Sequence, residues 1–141
     1  LDFDLDLART QSQENPVYYV QYAHARICSI AREGRERGLV TDEKADADLS
    51  LLTHPDEQAL MRKIAEYPKE LIESAKLRAP HRLTYFAREL AQAFHQFYGS
   101  CRVLDAEAPE LSQARLQLVR ATRTVLRNIL SLLGLTAPER M

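Results

Sequence analysis

The sequence predicts an all-α fold, an antiparallel bundle of about five helices, from three observations. Apolar residues recur at three- and four-residue steps through most of the 141 residues. Each such stretch opens on a capping residue or a proline and closes near a glycine or a proline. The links are short, and only one segment alternates strictly between apolar and polar, with no internal repeat and no low-complexity tract.

That segment comes first: Leu1, Phe3, Leu5 and Leu7 face one way and Asp2, Asp4 and Asp6 the other, the period of a half-buried strand. We expect residues 1–14 to be a strand and linker and residues 15–141 to be the helical domain. Asn15 caps the first long helix and Pro16 occupies its first position. Val17, Val20, Ala23 or His24, and Ile27 take core spacing, and Tyr18, Tyr22, Ala25, Arg26 and Ser29 share an adjoining face. Gly34 and Gly38 would end this helix. Leu39 to Thr53 is acidic and reads as a loop with at most one helical turn.

Thr53 or His54 caps the next helix at Pro55, with Glu57 near its third position and Leu60, Met61 and Ile64 inward. Pro68 is expected to start a separate helix with Leu71, Ile72 and Ala75 buried, and Pro80 to stop it. From Arg82 to Tyr98, the residues Leu83, Phe86, Leu90, Phe94 and Phe97 keep helical spacing up to Gly99. The last helix runs from about Leu111 to Leu133 and ends at Gly134.

Length and composition fit one compact domain that buries roughly two thirds of its unfolded surface. No apolar stretch approaches the roughly 20 residues of a membrane span, and no signal-peptide layout opens the chain, so a cytoplasmic address is expected. Leu1 in place of an initiator methionine suggests a piece of a longer protein. Cys28 and Cys101 are far apart and read as reduced, packed thiols, with no metal or redox pairing. His24, His54, His81 and His95 are scattered, and no metalloprotease, phosphate-loop or nucleophile-elbow motif is present. No catalytic residue, metal ligand or cofactor site is therefore assigned.

A net charge of −1 is low for a nucleic-acid binder, so any such role requires charge sorted by face. The sorting is visible: Leu111 to Pro138 carries Arg115, Arg120, Arg123 and Arg127 and no acid, whereas Asp42, Glu43, Asp46, Asp48, Asp56 and Glu57 gather elsewhere. Fifteen arginines against four lysines suit planar phosphate and base contacts, although codon bias would give the same ratio. The arginine stripe also fits a plain solvated face.

The run NPVYYVQYAHAR from Asn15 to Arg26 concentrates rings and a guanidinium, the groups that stack on unpaired bases. It resembles the segment that opens the C-terminal anticodon-binding domain of arginyl-tRNA synthetases, matching a Tyr-x-Gln-Tyr-Ala-His-x-Arg pattern at Tyr19, Gln21, Tyr22, Ala23, His24 and Arg26. The stretch from His81 to Tyr98 is similar to that family's middle helix, and Val125 to Met141 to its final helix and tail. Its Asp-Ala-Leu-Arg signature is not literally present; Gln113, Ala114, Arg115 and Leu116 come nearest. Its two ATP-handling motifs, of His-Ile-Gly-His and Lys-Met-Ser-Lys-Ser type, are absent as well.

The resemblance implies a class I synthetase anticodon-binding bundle that holds the tRNA(Arg) anticodon stem-loop and does no bond making itself. The parent arginine-tRNA ligase would supply a catalytic domain that uses ATP and Mg2+, and would be a monomer. Tyr22 is the leading candidate for stacking on an anticodon base, with Tyr98 beside it. Arg26 is placed to grip a flanking phosphate or to pair with Glu33. Gln21 would read a base edge or bond a neighbouring helix, Met141 would pack near the anticodon or fray, and His24 reads as structural. Tyr18, Arg120, Arg123 and Arg127 complete the candidate RNA face. A helical protein-interaction module and the equivalent domain of another class I synthetase are the alternatives.

Overall fold

The structure is a computed structural model that describes residues 4–39 and 46–141. Five α-helices lie among the described residues: α1 (Leu5–Arg9), α2 (Pro16–Glu36), α3 (Pro55–Lys76), α4 (His81–Ser100) and α5 (Pro109–Leu132), with a 3-10 turn at Leu49–Leu51 before α3. Helix α4 packs against α2, α3 and α5 and forms the centre of the bundle. Phe94, Phe97 and Leu90 on α4 are fully buried with Ile27 on α2, Leu60 on α3, and Leu126 and Ile129 on α5. Truncating Phe94 or Phe97 would cost about 3–5 kcal/mol by loss of transfer energy and by the cavity left behind. Cys28 and Cys101 are free and buried, as expected for packed thiols.

The bundle was legible, but two of its elements were not. The alternating segment forms no strand where it is described: Asp4 caps a short helix by accepting from the Leu7 amide at 3.0 Å, and Leu5–Arg9 coil behind it. Among the described residues no strand offers a ladder of hydrogen bonds, and Leu5 and Leu7 are exposed, so period two finds nothing there to pair with. Leu1, Asp2 and Phe3 lie outside the described residues, as do Asp42 and Glu43 of the acidic loop.

Pro68, in turn, starts no helix; it sits inside α3, which runs unbroken for 22 residues. The missing amide costs a helical bond with Ile64, but Pro68 is exposed while Ile64, Tyr67 and Leu71 pack on the core from both sides of it. Tertiary packing along α4 thus carries the helix through the proline. Ile72 and Ala75, expected inside, are exposed.

The helix ends obey local chemistry. Asn15 caps α2 by accepting from the Val17 and Tyr18 amides. His54, not Thr53, caps α3: its Nδ1 accepts from the Asp56 amide at 3.1 Å while Glu57 Oε1 accepts from the His54 amide at 2.9 Å. Three helices close with one paired hydrogen-bond pattern, centred on Gly38 after α2, Arg78 after α3 and Gly134 after α5, all with positive φ. Gly34 is buried within α2, and Gly99 lies inside α4 one residue before its end. Pro109 takes the first position of α5, two residues earlier than the spacing suggested.

Candidate functional site

A cleft of about 370 Å³ opens between α2, the end of α4 and the chain segment beyond α5. Tyr22 and Arg26 lie one turn apart on α2, Tyr98 closes the far side from α4, and Met141 borders it from the last segment. Four of the candidates named from sequence therefore line one cleft. Glu33, named only as a partner for Arg26, joins them with Arg32 and Arg140, which the sequence pattern did not single out.

Arg26 is the hub. Its Nη1 donates to the Tyr22 hydroxyl at 2.7 Å, and its guanidinium carbon lies 4.7 Å from the Tyr98 ring centroid and 5.9 Å from that of Tyr22. Two tyrosines thus hold the cation that spacing had offered to a phosphate or to Glu33; the carboxylate of Glu33 instead meets Arg37 at 3.3 Å. Contacts of this cation-to-ring kind contribute about 0.5–2 kcal/mol and fix the guanidinium plane.

Behind these groups runs a row of rings. Tyr18 stacks near Tyr22 at 6.5 Å, Tyr22 near His95 at 6.0 Å, and Tyr98 against the buried Phe94 at 5.9 Å. His95 also touches Tyr19 and Phe94, each at 5.3 Å. Burial holds its pKa below the ordinary value, with the nearby Arg26 charge adding to the effect, so it backs the site as a neutral ring. His95 was overlooked because four scattered histidines show no spacing; its position one turn before Tyr98 was the available signal. Tyr98 already contacts Phe94 and Arg26, which leaves its edge and hydroxyl for a ligand more than an open ring face.

The wall made by residues 136–141 is pinned to α2. Gln21 Nε2 donates to the Thr136 carbonyl at 2.9 Å, His24 Nδ1 bonds the Pro138 carbonyl at 2.8 Å, and Arg32 Nη1 donates to the Glu139 carbonyl at 3.2 Å. Gln21 is thereby committed to the protein and does not line the cleft. Since a carbonyl only accepts, His24 carries its proton on Nδ1, and its buried Nε2 has no partner. Burial lowers the His24 pKa most; Arg123 and Arg127 push it further down, against the hydrogen bond to Pro138.

Arg123 and Arg127 thus approach the tail from α5 but do not line the cleft, and neither does the half-buried Arg120. Arg115, outside the stripe of Arg120, Arg123 and Arg127, is committed to the protein: its Nε donates to Glu57 Oε2 at 2.7 Å and its Nη1 to the Arg102 carbonyl at 2.7 Å. Tyr18, one turn before Tyr22 and stacked near its ring, does not line the cleft. The arrangement suits a flat heterocycle joined to an anion: a ring and a hydroxyl for the base, guanidinium groups for a phosphate. Among the described residues, no group of three or more histidine, cysteine or acidic side chains is placed to hold a metal. No helix of the described residues is long and apolar enough to cross a membrane.

Comparison with known proteins gives the family of the chain. The profile of the DALR anticodon binding domain matches residues 20–141. The chain belongs to that family. Among curated relatives, it is 59% identical over 141 residues to the arginine–tRNA ligase of Moorella thermoacetica and 55% identical over 141 residues to that of Symbiobacterium thermophilum. Each alignment takes in 100% of this chain and 25% of the relative, so the chain spans about a quarter of the length of these relatives. The solved arginyl-tRNA synthetase of Thermus thermophilus superposes with a TM-score of 0.81 at 33% identity, covering 100% of this chain and 24% of that one. The fold is thus that of the anticodon-binding domain of arginyl-tRNA synthetases, and of the readings the sequence left open, these matches support this one. Within this DALR domain the nearest string to the eponymous motif, Gln113 to Leu116, lies on α5, with Ala114 and Leu116 buried and Arg115 in the Glu57 ion pair.

Proposed function

We propose that the cleft receives an unstacked nucleotide of the tRNA(Arg) anticodon loop. The observation that carries this reading is the pairing of Tyr22 with Arg26, a ring and a cation locked together by a 2.7 Å hydrogen bond at an open cleft. A base settles against the Tyr22 ring and Met141, while Arg26, Arg32 and Arg140 face its phosphates. Gln21 and His24 act on the RNA only through the tail they hold, and Tyr18, Arg123 and Arg127 border the approach. The parent arginine-tRNA ligase, a cytoplasmic monomer, activates arginine with ATP and Mg2+ on a catalytic domain elsewhere in its chain. This domain contributes recognition of the tRNA.

The test is the affinity of the chain for an arginine anticodon stem-loop in excess unrelated RNA. Tyr22→Ala should weaken binding by about 1–3 kcal/mol, the loss of one stacking platform. Equal affinities of wild type and Tyr22→Ala at matched salt would remove Tyr22 from the site. A loop bearing a different anticodon that binds equally well would remove the specificity for arginine tRNA.

A further inference from the structure

Beyond the Tyr98 edge of the cleft lies a second bay of about 300 Å³, and the two share Ile30, Glu33 and Tyr98 as a common ridge. Its floor is apolar, built from the buried Val103 and Leu104 after α4. Two exposed arginines flank it: Arg37 at the end of α2 and Arg102 just past α4. The backbone of Arg102 is fixed, because its carbonyl takes a 2.7 Å bond from Arg115, which is itself held by the buried Glu57. Its side chain is left to the solvent. Among the described residues Arg37 pairs with the exposed Glu33 carboxylate, a contact that water and salt weaken and a phosphate readily displaces. Across both bays five arginines line the walls against one acidic side chain, Glu33.

We propose that this second bay is a subsite for the neighbouring nucleotide of the same RNA strand, with Arg37 and Arg102 on its phosphate and its base over Val103 and Leu104. The inference rests on the RNA reading of the first cleft. Continuity of the two bays across one tyrosine ridge gives a single strand a path with no gap, and the charge on its walls has the sign that a phosphodiester needs. Glu33, between the bays, sets a limit on affinity by repelling that backbone.

Salt dependence separates this subsite from the first. Each phosphate neutralised on a single strand adds roughly −0.7 to the slope of log affinity against log salt. Between about 50 and 200 mM salt, Arg102→Gln should therefore lose about 2.5-fold less affinity for the stem-loop than the wild type does. Arg37→Gln should behave in the same way, Arg102→Lys should keep the wild-type slope, and Glu33→Gln should bind more tightly. Tyr22→Ala should bind weakly with an unchanged slope. These arginines are exposed, and an unaltered melting midpoint verifies the fold of each variant. Wild-type affinity and slope in both Arg→Gln variants, or a weaker affinity with no change of slope, would overturn the second subsite while Tyr22→Ala still reports the first. Failure of the wild type to hold the stem-loop against competitor RNA would overturn both.

Discussion

The imidazole of His24 holds a carbonyl 114 positions further along the chain, and that bond shapes a surface His24 itself does not line. His24→Ala should release the tail from α2 and weaken stem-loop binding, whereas His24→Asn, whose amide puts a donor close to the place of Nδ1, should restore much of it. Equal binding by both variants would mean that the tail does not depend on this bond. The same residue makes stability depend on pH. His24 and His95 both titrate below the ordinary 6.5 in the folded chain, so between 6.5 and those lower values the unfolded chain binds more protons. Stability should be full above about pH 6.5 and fall as the pH drops through that window; urea midpoints across pH 5 to 7.5 check this, and His24→Asn should flatten the curve. Tyr22 and Arg26 were legible because they sit in one ring-rich run with helical spacing. Gln21 was not, since spacing does not say which distant backbone will lie against an amide, and its partner is Thr136.

Among the helices, amphipathic spacing and caps located α2, α4 and α5 to within a few residues. Alternation misled at Leu5–Arg9 and local punctuation at Pro68, and for one reason: a local pattern is outweighed where packing partners are missing or present. The turn after α3 exposes a related compromise. Arg78 holds φ at 50°, the place that Gly38 and Gly134 fill in the sister turns, and its amide still bonds the Ala75 carbonyl at 3.2 Å. A residue with a Cβ carries about 1–2 kcal/mol of strain there, part of which glycine gives back through its freer unfolded chain. Arg78→Gly should therefore stabilise the domain by roughly 0.5–1 kcal/mol in urea unfolding. A lower midpoint would show that the arginine side chain contributes more than its backbone costs.

Taken whole, a chain with net charge −1 presents a cationic groove because its acids are spent elsewhere. Glu57 is the clearest case: 1% exposed, it caps α3 with one oxygen and binds Arg115 of α5 with the other, and Arg115 passes the contact on to the backbone after α4. Three parts of the bundle meet on one carboxylate. Removing it alone, as in Glu57→Leu, strands a largely buried guanidinium and should cost about 3–5 kcal/mol. The Glu57→Leu/Arg115→Met pair should recover part of that loss in a double-mutant cycle, and simple additivity of the two would deny the coupling. The cleft, for its part, draws one face from α2 and another from residues 140 and 141, so the site exists only where both ends of the bundle's sequence are folded side by side, and loosening either face should open it to water.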